Sequence, residues 1–217
     1  MQSRPENYFR ILFWLVGLLY FATGLTALSY EVLWARILST LFGVSIFGVV
    51  VTVSAFLAGL GLGSIAGRRV LFRIKNPLRI FAILELFVAI FAFNLPTVLT
   101  SLDALLNGLA LDSYTSWISV QAIATFILMF IPAFALGFGF PMILACLKRS
   151  SINIGTIYAL NTLGGVLGAL FPLVLLPLAG WTVSVRLVAI LAILAAVFAF
   201  AISVFLKQSE LPNQNKN

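Results

Sequence analysis

The chain has 217 residues, of which 62% are hydrophobic and 9% charged, with a net charge of +7 and a mean hydropathy of +1.16. Soluble domains carry roughly 25% charged residues, so this composition excludes an ordinary water-soluble fold and points to an all-α protein of the lipid bilayer. The excess of Lys and Arg does not indicate nucleic acid, because these residues fall between apolar segments rather than among aromatic side chains that could track a phosphate backbone.

Two compositional absences narrow the chemistry further. The chain has one cysteine, Cys146, and no histidine, so there is no internal disulfide, no thiol cluster for a metal and no usual general base or proton switch. Nothing in it calls for a cofactor. The expectation is a non-catalytic protein with one membrane domain over residues 1–206 and a short polar tail over 207–217.

Six apolar runs are long enough to span, a crossing helix needing about 20 residues. The first, Phe9 to Ser29, is too long for a signal peptide core and lacks a small-residue cleavage site. Val44 to Ala66, Ile80 to Val98, Ile118 to Leu144, Thr156 to Leu178 and Val185 to Leu206 follow. Between the first two, Leu33, Trp34, Ile37, Leu38 and Leu41 recur at helical spacing with Arg36, Ser39 and Thr40 opposite, which predicts an interfacial amphipathic helix over Tyr30 to Gly43. Leu102, Leu105, Leu106 and Leu109, with Asp103 and Asn107 opposite, predict a second short one after the third span. Each either covers the bundle's edge or lids a cavity.

The basic residues also set an orientation. Arg4 and Arg10, then Arg68, Arg69, Arg73, Lys75 and Arg79, then Lys148 and Arg149, and finally Lys207 and Lys216 all fall on one side of a six-span arrangement. The other side keeps Arg36 and Arg186 with Asp103 and Asp112. Cytoplasmic loops retain Lys and Arg, so both termini are expected in the cytoplasm.

Within the spans, Gly59, Gly63 and Gly67 share one helix face and predict a close-packing seam, as do Gly164 and Gly168 in the fifth. The string GLGLGSIAG does not give the spacing of a dinucleotide loop, and no strand precedes it. Pro132, Gly137, Gly139 and Pro141 predict weakening of the fourth helix, and Pro172 and Pro177 of the fifth. Broken membrane helices present backbone groups to substrates or ions, though prolines also serve packing alone.

Ionisable groups at membrane depth are the strongest functional pointers, since a charge at a helix centre costs about 2.5 to 3.5 kcal/mol on insertion scales. Glu85 lies inside the third run; a cationic partner, a cavity or protonation would relieve its cost. Glu31 and Arg36 sit nearer the boundary, where pairing with each other, with Arg186 or with water are all open. Asn94, Gln121 and Asn161 complete the polar set, for which interhelical hydrogen bonding is the commonest use. The candidate substrate contacts are Glu85, Glu31, Arg36 and Asn161.

Four separated segments carry a family likeness: YEVLWARIL at Tyr30 to Leu38, FLAGLGLGSIAGRR at Phe56 to Arg69, GFGFPMILA at Gly137 to Ala145, and IGTIYALNTLGGVLGALFPLVLLPLAGW at Ile154 to Trp181. In this order they resemble the membrane-embedded N-terminal domain of bacterial fused spermidine synthase-like proteins. The resemblance implies a bacterial inner-membrane module, related in architecture to half of a major-facilitator-type bundle. In that family a soluble aminopropyltransferase-like domain commonly follows, but here only KQSELPNQNKN follows Leu206, so its activity is not carried over.

Two functions are therefore expected in competition. One is transport or binding of a small cation such as a polyamine, with Glu85 and Glu31 as anionic partners and a homodimer completing the carrier. The other is a scaffold or accessory subunit that anchors a separately encoded enzyme or a larger membrane complex. The lipid bilayer is a partner in either case, and nucleic acid in neither.

Overall fold

The computed structural model describes residues 6–41, 46–108, 113–148 and 154–210. Of the residues singled out above, Arg4, Gly43, Leu109, Asp112, Arg149 and Lys216 lie outside these stretches, as do the side chains of Arg10, Leu41, Asn107, Lys148 and Lys207.

The described residues form α1 (Glu6–Leu41), α2 (Ile46–Val70), a 3-10 turn (Leu71–Arg73), α3 (Pro77–Asn107), α4 (Tyr114–Lys148) and α5 (Ile154–Glu210). All five α-helices are long and apolar enough to cross a bilayer. Leu57, Leu173, Val174, Leu178 and Leu194 are exposed on them, as suits helices whose outer faces meet lipid chains rather than water. The chain is an all-α membrane protein.

The fifth helix is two apolar segments in one. Its 57 residues would extend about 85 Å if straight, far beyond a hydrocarbon layer of about 30 Å. At Gly180 the backbone leaves the helix, with φ 72° and ψ 172°, a conformation essentially restricted to glycine because a Cβ would clash. The chain folds back there: Ile157 from the first arm packs in the same apolar cluster as Ala195, Ala199 and Ile202 from the second. The arms 154–179 and 181–210 thus coincide with the fifth and sixth apolar runs, and the helix continues to Glu210, past the expected boundary at 206.

Several local expectations are corrected. Residues 30–41 are the continuation of α1, not a separate interfacial helix, because Tyr30, Leu33, Trp34 and Leu38 are fully buried in the bundle while Arg36 faces outward. Residues 99–107 likewise continue α3, with Leu106 buried but Leu105 65% exposed. Helix α4 runs through Pro132 and Pro141, and α5 through Pro172 and Pro177; the break in α5 falls at Gly180 instead. At the start of α3, the Asn76 side chain accepts from the Arg79 backbone N–H at 3.2 Å and Pro77 takes the first helical position, where its missing N–H costs nothing.

The segments associate as three pairs. A Cβ built on Gly59, Gly63 or Gly67 would run into the backbone of α4 at Phe130, Phe134 or Phe138, and one on Gly137 would meet Leu60 of α2. Gly164 and Gly168 stand in the same relation to Phe21 and Leu25 of α1, and Gly24 to Asn161. Such contact brings backbones together where lipid offers no hydrophobic drive for association. The Ser29 hydroxyl adds a bond to the Gly168 carbonyl at 2.8 Å. Arm 181–210 packs on α3, with Ala189 and Ala192 against Val88, Ala89 and Ala92, and with cation–π contacts of Arg186 over Phe93 and Arg79 over Phe200.

Candidate functional site

Two apolar clusters occupy the bundle interior. One, at the end where α1 begins, contains Val16, Leu19, Leu78, Met142, Ile143 and Ile157; the other, toward Gly180, contains Leu33, Trp34, Ala55, Leu95, Met129 and Val185. Polar groups are interleaved between them. Tyr20, Thr23, Thr26 and Tyr30 run along α1 as buried hydroxyl side chains at three- and four-residue spacing, so they form a stripe on one side of the helix; Ser29, also buried, turns to the Gly168 carbonyl instead.

Glu85 faces this stripe from α3, one turn beyond Phe81 and one turn before Ala89. It is 4% exposed, and the Thr23 hydroxyl lies within interaction reach of its carboxyl. That hydroxyl also donates to the Leu19 carbonyl at 3.1 Å. A hydroxyl has one proton to give. When Glu85 is ionised, Thr23 must choose between the carboxylate and the Leu19 carbonyl; when Glu85 is protonated, the carboxyl can donate to Thr23 while Thr23 still serves Leu19.

On the other side of Thr23 is a cavity of about 380 Å³. Its polar lining is Tyr20, Thr23, Ser64 and Asn161, and its apolar walls include Phe56, Leu60, Phe81, Leu136 and Phe140. Every segment except arm 181–210 contributes. No Lys, Arg, Asp or Glu is in the lining; the Glu85 carboxyl stands behind Thr23.

Two of the four candidate contacts are thereby brought to one region and two are not. Asn161 lines the cavity and packs its backbone and side-chain oxygens against Gly24; Glu85 is one hydroxyl removed from it. Glu31 and Arg36 lie about 12 Å and 20 Å further along α1 from Thr23 at 1.5 Å per residue, and neither lines the cavity. Asn94 is turned back onto the Ile90 carbonyl of its own helix. Gln121 is buried in α4 and Cys146 donates to the Met142 carbonyl.

Tyr20, Thr23 and Ser64 are site residues not singled out from the sequence. The available signal was the run of hydroxyl residues within the first span. Elsewhere, the Tyr30 hydroxyl, Trp34 Nε1 and the Thr125 hydroxyl are buried without a hydrogen-bond partner, Tyr30 and Trp34 stacking at 5.0 Å.

No family model, curated protein or solved structure matches the chain.

Proposed function

We propose that the chain is a membrane-embedded module that binds, and in assembled form moves, a small cationic solute of the amine or polyamine class. The observation that carries this is the contact of the buried Glu85 carboxyl with Thr23, a wall residue of the central cavity. An anionic group within a low-dielectric layer attracts a cation more strongly than it would in water, and the lining contains no basic side chain to compete. Thr23 is placed to report the occupancy of the cavity to Glu85, because its proton can serve either the carboxylate or the Leu19 carbonyl.

The topology proposed with it is a bacterial inner-membrane protein with both termini cytoplasmic, supported by Arg68, Arg69, Arg73, Lys75 and Arg79 gathering at the turn between α2 and α3. The resemblance to the membrane domain of spermidine synthase-like proteins supports an amine as the cargo. A homodimer would supply the second half of an alternating-access device.

The test is flux of labelled spermidine and labelled alkylamines in vesicles containing purified protein. Glu85→Gln should abolish flux of the accepted amine while the protein remains folded; undiminished flux in that variant would overturn the proposal. A scaffold role is favoured by a separate feature, the basic stretch 68–79 with Phe72 79% exposed beside it. It predicts a protein partner that co-purifies in mild detergent and is lost when Arg68, Arg69 and Phe72 are replaced together.

A further inference from the structure

The cavity is partly open, and the exposure of the residues around it shows where. Toward the end where α1 begins it is closed by Leu19, Phe81, Met142 and Ile157, all no more than 2% exposed. Toward Gly180 it is closed by Phe56 together with Tyr30, Trp34, Met129 and Ala133, which are equally buried. Both ends are filled by apolar side chains.

The side is different. Gly61 lines the cavity and is itself exposed, and a Cβ added to it meets nothing within 4 Å. Ser64, Leu28 and Asn161 are among the partly exposed lining residues. Gly61 precedes Val70, the end of α2, by nine residues, or about 14 Å of helix, which puts this rim at the depth of the hydrocarbon chains. The glycine seams bind α1 to arm 154–179 and α2 to α4, and the cavity is lined by residues of both pairs.

From this geometry we infer that the cavity has a lateral portal beside Gly61, between the two seamed pairs, through which it takes an amine with an apolar tail from the lipid phase. The inference rests on the proposed amine specificity but narrows it. Five bulky apolar side chains, Phe56, Leu60, Phe81, Leu136 and Phe140, match a hydrocarbon tail, while Tyr20, Thr23 and Asn161 offer oxygens to an ammonium head on the side backed by Glu85. A hydrophilic polycation would leave charges against the apolar walls. A volume of about 380 Å³ accommodates one medium-length chain and is too small for a two-chain phospholipid.

The experiment is photolabelling of the full chain in liposomes with a decylammonium probe carrying a diazirine in its tail. Wild-type protein should label on the lining segments of α1, α2 and α4, in competition with unlabelled decylammonium but not with spermidine in the aqueous phase. Gly61→Leu, whose side chain fills the gap, should lose labelling; Ser64→Leu supplies a second obstruction should Gly61→Leu be poorly folded. Undiminished labelling in a folded obstructed variant, or equal competition by spermidine, would overturn the portal. Amine flux in Glu85→Gln separates the two ideas: an intact portal with flux unaffected by that change removes the charge-based function, and lost flux with unobstructed labelling removes only the portal.

Discussion

The indole Nε1 of Trp181 donates to the Leu33 carbonyl oxygen at 2.8 Å, joining positions 148 residues apart. Trp181 directly follows the backbone break, so this bond fixes the folded-back arm 181–210 onto α1 at the point where the direction of the chain reverses. Trp181→Phe keeps most of the ring and removes the donor. It should lower stability by about 1 kcal/mol, the usual net worth of a hydrogen bond, measured as a shift in the unfolding equilibrium in mixed micelles.

Gly180 itself should be harder to replace. Its φ of 72° with ψ of 172° imposes strain of about 1–3 kcal/mol on any residue with a Cβ, although open space surrounds the position. Gly180→Ala should therefore destabilise by that amount. Pro177→Ala, in helical backbone three residues earlier, should have a smaller effect in the same assay.

Glycines in the seams should respond through contact rather than backbone conformation. Gly168→Val would drive side-chain atoms into the Leu25 backbone and should destabilise by at least about 1–3 kcal/mol, the range for overpacking. Gly61→Ala, with nothing near the added Cβ, should leave thermal stability in detergent unchanged.

The two buried hydroxyl environments on α1 predict opposite outcomes. Tyr30→Phe removes a hydroxyl without a partner and should be neutral or stabilise the fold by about 1 kcal/mol. Thr23→Val removes the group shared by Glu85 and the Leu19 carbonyl, and should weaken amine binding about tenfold, within the range for a hydrogen bond to a charged group. Thermal unfolding and equilibrium binding of the alkylammonium probe check the pair.

The apolar segments were legible because hydropathy over about 20 residues is nearly independent of tertiary context. The limits of the helices were less so. Glu31 and Arg36 interrupt the apolar run and suggested a new element after Ser29, yet one face of residues 30–41 is as buried as any part of α1. The prolines drew attention within α5, whereas the reversal required a backbone conformation that only Gly180 adopts readily.

Glu85 was legible as a candidate because a carboxylate inside an apolar run is conspicuous in any arrangement. Thr23 was not, since a hydroxyl hardly alters hydropathy and its importance comes from α3 and the cavity meeting on either side of it. Glu31 and Arg36 show the converse: charge made them conspicuous, but their position along α1 keeps them out of the lining.

The three-pair construction has a mechanical consequence. Opening a seam would part close backbone contacts along several turns, whereas the gap beside Gly61 interrupts no such contact. The seamed pairs, α2 with α4 and α1 with arm 154–179, are thus the stiff members of the bundle.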